Sequence, residues 1–183
     1  MDLGARLKAM AEHTVLVDLG KLEKAKQLIS RTSSQGGKII IAGNGASAAI
    51  ASHVAVDLTK AAGVRAINFN EADLITCFAN DYGYEHWVEK ALDFYADPKD
   101  LVILISSSGM SPNIVNAAQK AKALGLPLIT LTGFREDNHL KKLGDINLWV
   151  KSGEYNIVET AHQAWLLAVV DQIAEEKNKL EKT

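Results

Sequence analysis

Short runs of uninterrupted apolar residues alternate along the chain with longer stretches in which apolar side chains return every three or four positions. The runs KIIIA at 38–42, RAINF at 65–69, LVILIS at 101–106, LPLITLTG at 126–133 and DINLWV at 145–150 read as β-strands. The periodic stretches at 46–61, 84–95 and 111–124 predict helices between them. Strand and helix therefore alternate, and repeated βαβ units build a parallel sheet with helices on both faces. The strands at 38–42 and 101–105 carry almost nothing polar, as strands covered on both sides do. A longer helical region opens the chain at 3–32, where Leu7, Met10, Leu16, Leu19, Leu22, Ala25, Leu28 and Ile29 keep helical spacing. Gly20 marks a break within it, and QGG at 35–37 ends it. Residues 156–178 form a second long helix striped by Ile157, Ala161, Ala164, Leu167 and Ala168, and the charged tail EEKNKLEKT is expected to fray.

Composition narrows the class. At 183 residues and 48% hydrophobic, the chain can bury one sizeable core and is too short for two ordinary domains, so a single domain over 1–183 is expected. A net charge of -2 sets up no general field for nucleic acid or an anionic membrane, and neither is expected as a partner. Lys21, Lys24, Lys26 and Arg31, interrupted by Glu23, read as a solvated helix face. The N-terminus lacks a signal-peptide core and no apolar run has bilayer length, so a cytoplasmic location is expected. The single cysteine, Cys77 in LITCF, cannot form an internal disulfide and reads as a small buried hydrophobe in a reducing compartment. Trp87 and Trp165, with Ala and Val neighbours at helical spacing, read as core or subunit packing, and His13, His86 and His139 as surface residues.

Two strand-to-helix junctions carry the candidate chemistry. GNGAS at 43–47 stands where a doubly wound sheet binds ligands, and the free N–H groups of a helix start there suit an anion. It lacks the third glycine of the dinucleotide fingerprint and the GK[ST] of a Walker loop, so no nucleotide cofactor is expected. A tight turn capped by Ser47 accounts for this stretch equally well. The second junction, SSSGMSPN at 106–113, sets Ser106, Ser107, Ser108 and Ser111 before a helix that Pro112 starts. Small hydroxyls donate hydrogen bonds to a phosphate without crowding it, and the helix dipole favours its charge.

The ordered stretches GNGAS, ASHVAVDLT, ANDYGY, SSSGMSPN and ITLTG resemble the SIS (sugar isomerase) domain, most closely its phosphoheptose isomerase branch. The resemblance implies a flavodoxin-like, three-layer α/β/α sandwich with a five-stranded parallel sheet and long N- and C-terminal helices. It also implies a homotetramer with active sites at subunit interfaces and a phosphorylated sugar as ligand. In that scheme Ser106, Ser107, Ser108 and Ser111 cradle phosphate, Asn44 and Ser47 contact the sugar, and Asp81 lies near its hydroxyls. Such isomerases move a proton between adjacent carbons through an enediolate, which needs a base and an acid or metal. The family's metal and catalytic positions fall on His53, Asp57 (for the family's glutamate), Glu159 (for its glutamine) and Leu167 (for its catalytic histidine), with His162 nearby.

Two readings follow from that resemblance. In one, His53, Asp57, Glu159 and His162 form a rearranged set for zinc or another divalent ion, with Asp57 or Glu159 as base and His162 in the catalytic group. In the other, the domain binds a phosphosugar or a protein without turning it over, as a sensor or assembly factor. Each histidine also has a plain alternative as hydrogen-bonded packing on an apolar helix.

Overall fold

The computed structural model describes residues 2–180. The chain opens with α1 (Leu3–Val15) and α2 (Leu19–Ser34), followed by β1 (Ile39–Gly43), α3 (Ala46–Lys60) and β2 (Ala66–Asn68). Two further helices, α4 (Ala72–Tyr82) and α5 (Trp87–Tyr95), precede β3 (Leu101–Ser106) and α6 (Pro112–Ala123). Then come β4 (Leu128–Thr132), the short α7 (His139–Leu143), β5 (Ile146–Trp149) and α8 (Tyr155–Leu180). The five strands form one all-parallel sheet in the order β2-β1-β3-β4-β5.

Every predicted strand is present. Residues of β1, β3 and β4 are buried throughout, so the side-chain period of two sends alternate residues into two separate cores. Ile39, Ile41, Leu101, Ile103, Ile105, Ile129 and Leu131 face a core completed by α2, α3 and α8, against which α1 also packs. Ile40, Ala42, Val102, Leu104 and Leu128 face the opposite core, closed by α5, α6 and α7. Trp165 fills the first core and Trp87 the second, so both indoles serve packing.

Several expectations are corrected. The first helical region breaks at Leu16–Asp18 rather than at Gly20, because Asp18 accepts the Lys21 N–H at 3.1 Å and caps α2, leaving Gly20 inside its first turn. Helices α4 and α7 were not anticipated: α4 buries no residue fully and α7 is only 5 residues long, so neither writes a strong stripe. Lys26 does not lie on a solvated face. It is buried between α2 and α8, where its Nζ donates to Glu176 at 2.5 Å and lies 3.1 Å from Glu23. Cys77 is exposed on α4, not buried. His13 is half-buried, with Nδ1 2.8 Å from the Ala9 carbonyl and Nε2 3.2 Å from that of Lys151. The end of the charged tail, 181–183, lies outside the described residues. Among the described residues no helix is long and apolar enough to cross a membrane.

Strand order positions the site. From β1 the chain crosses to β2 on one side, then returns past β1 to β3 on the other, so the direction of winding reverses between β1 and β3. Gly43 lies in register with Ile105, which places the loops that follow these strands side by side at the carboxyl edge. A parallel sheet opens its ligand crevice at such a reversal.

Candidate active site

The two loops at this crevice are shaped by close backbone approach. A Cβ on Gly43 would meet the Ser47 Cβ at 2.6 Å, so only glycine lets the first turn of α3 fold back on the end of β1. Gly45, at φ 55°, is the N-cap of α3, and the Ser47 N–H donates to the Asn44 carbonyl at 3.0 Å. Ser47 is therefore inside the helix, almost wholly buried, and is not its cap.

The four serines divide according to strand alternation. Ser106 ends β3 facing α6, with its Oγ 3.2 Å from that of Ser111, and accepts the Gly109 N–H at 3.2 Å. Ser108 accepts the Met110 N–H at 3.2 Å, which tightens the same loop. Ser111 is the N-cap of α6 in extended conformation, so these three hydroxyls lie around a helix start. Ser107 points the other way, toward α8, and donates to Glu159 Oε1 at 3.5 Å. That contact brings the serine loop to a carboxylate. Partial burial raises the Glu159 pKa above the ordinary carboxylate value, and the Ser107 hydrogen bond works against it.

The remaining candidates separate. His53 and Asp57, one turn apart on α3, meet with Nε2 3.2 Å from Oδ2. Gln163 of α8 donates to His53 Nδ1 at 3.1 Å, which leaves the proton on Nε2 for Asp57. His162 takes no part in this cluster. It is 0% exposed, its Nε2–H donates to the Thr132 carbonyl at 3.1 Å, and its Nδ1 is buried without a partner. Burial pushes its pKa down to about 4, the Thr132 carbonyl opposing, so the ring is neutral near pH 7. Leu167 is half-buried against the core of α2, α3 and α8. Asp81 is exposed at the end of α4, where it accepts from Asn80 at 2.8 Å.

Among the described residues no three His, Cys, Asp or Glu side chains gather so as to hold a metal ion. His53 and Asp57 stand together on α3, Glu159 faces the serine loop, and His162 is sealed in the core. Placed so, the four do not fit one ion within the chain.

Three side chains that sequence reasoning passed over belong to the site. Asn113, in the first turn of α6, and Asn44 form a reciprocal amide pair, each Nδ2 donating to the other's Oδ1 at 2.9 Å. Tyr84, in the turn after α4, donates its hydroxyl to the same Asn44 Oδ1 at 3.2 Å. Gln163 is the third. Tyr84 and Asn113 lay within the quoted stretches ANDYGY and SSSGMSPN, which were the available signal, whereas Gln163 follows only from its spacing of four from Glu159.

The family model for the SIS domain matches residues 4–133, which cover the whole crevice except α8. The chain belongs to the SIS domain family. Among its SIS relatives, the phosphoheptose isomerase of Aliarcobacter butzleri is 37% identical over 147 residues, 77% of each protein. That of Syntrophotalea carbinolica is 34% identical over 163 residues, 85% of this chain and 82% of the relative. Among solved structures, the phosphoheptose isomerase of Neisseria gonorrhoeae superposes with a TM-score of 0.84 at 27% identity, covering 93% of each chain. The three-layer SIS sandwich expected from the motifs is therefore the fold observed.

Proposed function

We propose that this chain is an aldose–ketose isomerase of the phosphoheptose type, acting on sedoheptulose 7-phosphate, with Glu159 as the base that moves the proton between the two carbons. The observation that carries this reading is the Glu159 carboxylate, set 3.5 Å from Ser107 in the loop suited to phosphate, with partial burial raising its pKa from the ordinary value. A raised pKa makes the carboxylate a stronger base. Ser106, Ser108 and Ser111 with the start of α6 hold the phosphate, and the GNG loop meets the sugar. The names of the two relatives and the structural match support the substrate class.

The homo-oligomer belongs to the same proposal. Leu3, Leu7 and Val15 repeat at helical spacing along α1 and are all exposed, an apolar stripe that a second copy would cover.

One observation favours the second reading, binding without turnover. His162, the one histidine of α8, is sealed in the core, so α8 offers no imidazole to the crevice. Proton NMR of sedoheptulose 7-phosphate in D₂O separates the two. Turnover gives aldose signals and loss of the carbon-bound proton, and Glu159→Gln should abolish both while phosphosugar binding by calorimetry persists. Line broadening without exchange in the unaltered protein would establish binding alone.

A further inference from the structure

Asn44, the polar residue of the GNG loop, is held by two groups from separate elements. Its Oδ1 accepts from Asn113 Nδ2 at 2.9 Å and from the Tyr84 hydroxyl at 3.2 Å. An amide oxygen has two lone pairs, so both are engaged. One hydrogen of its Nδ2 is given to Asn113 Oδ1 at 2.9 Å. The second has no protein acceptor among the described residues. Asn113 is 1% exposed, so its amide has no water to turn toward and the pair is enclosed on that side. Helix α6 anchors both partners, because Asn116, one turn after Asn113, donates to the Glu85 carbonyl at 2.9 Å and holds the turn that carries Tyr84. The Tyr84 ring in turn leans on buried Trp87, with centroids 6.4 Å apart.

We propose that Asn113 and Tyr84 are positioning residues that keep the Asn44 carbonyl oxygen occupied, so that Asn44 meets the sugar only as a hydrogen-bond donor, directed at an oxygen that gains negative charge during isomerisation. The inference rests on the isomerase reading above and deepens it. An enediolate places negative charge on the two oxygens next to the moving proton, and a preorganised N–H stabilises such charge without reorganising. An amide free to rotate would offer its oxygen as readily as its N–H, and the oxygen would repel that charge. The two clamping groups remove this choice before substrate arrives.

The test measures kcat and KM of the full chain for sedoheptulose 7-phosphate in four proteins: unaltered, Tyr84→Phe, Asn44→Ala and the double variant. Tyr84 is exposed, so its hydroxyl is removed with little risk to folding. Loss of one neutral hydrogen bond to Asn44 should lower kcat about fivefold with KM within about twofold. In the Asn44→Ala background the same substitution should change kcat less than about twofold, because Tyr84 acts only through Asn44. Fully additive effects, or a rise in KM at unchanged kcat, would overturn the proposal, since Tyr84 would then touch substrate itself. Asn44→Asp, which keeps the shape but removes the N–H, should lower kcat about 100-fold, and near-normal turnover would overturn donation. Asn113→Asp should lower kcat in the same direction, and if it fails to fold the Tyr84 cycle decides. Should the unaltered protein neither turn over nor exchange protons with sedoheptulose 7-phosphate, the isomerase reading fails separately. The clamp is then judged by ¹⁵N–¹H NMR of the side-chain amides. Tyr84→Phe should shift the Asn44 signals and speed their exchange, and unchanged signals would overturn the clamp.

Discussion

Glu159 and His162 stand three positions apart on α8, yet one faces the crevice and the other the core. For Glu159 the consequence is catalytic: the carboxylate takes a proton only when ionised, so activity should fall as pH drops below its raised pKa. For His162 the consequence is stability. Its folded pKa of about 4 lies below the unfolded value near 6.5, so between these limits the unfolded chain binds more protons than the folded one. Stability therefore rises with pH across that window and is lost as pH falls through it. The full effect is on the order of 3 kcal/mol from this one group. Urea unfolding at pH 7 and pH 4.5 should show the decline, and His162→Gln should flatten it. An equally steep decline in the variant would assign it to other groups.

The loop from β3 to α6 depends on a neighbouring helix. Gly109 has φ +64°, and a Cβ there would meet Asn138 Oδ1 at 2.0 Å. Asn138 caps α7 by accepting the Lys141 N–H at 2.9 Å, and Leu140 N donates to the Gly109 carbonyl at 3.0 Å. Gly109→Ala should therefore strain the serine loop and dislodge the α7 cap together, at a combined cost of about 2–4 kcal/mol. Denaturant unfolding measures it, and a loss under about 1 kcal/mol would show that the loop relaxes freely. The same packing explains why α7 is helical at all: five residues have no independent helical stability, so its form comes from the cap and from Leu140 in the core.

For the molecule as a whole, α1 is the element least served by a lone chain. It contributes no fully buried residue, while Leu3 is 83%, Leu7 68% and Val15 76% exposed. Light scattering should find an oligomer, and Leu7→Glu should shift it toward smaller species. A monomer in the unaltered protein would remove the proposed assembly.

Apolar runs of five or six residues and helical stripes were enough to place every strand and most helices, because burial on both faces leaves no room for polar residues. KIIIA and LVILIS show this most directly. The loop motifs were legible for a similar reason, since glycines and small hydroxyls at strand ends satisfy a local backbone requirement. Spacing alone left open which face of α8 meets the crevice. Glu159 and His162 at i and i+3 looked like neighbours, but the packing of α8 turned His162 onto the Thr132 carbonyl and brought Gln163, at i+4, to His53. Asn113 and Tyr84 reached Asn44 from elements 69 and 40 residues away along the chain, through strand order and register. Local sequence thus determined the strands, most of the helices and the loop chemistry. The rotation of each helix and the partners of each polar side chain were decided by tertiary packing, because they depend on which surfaces the whole chain can bury together.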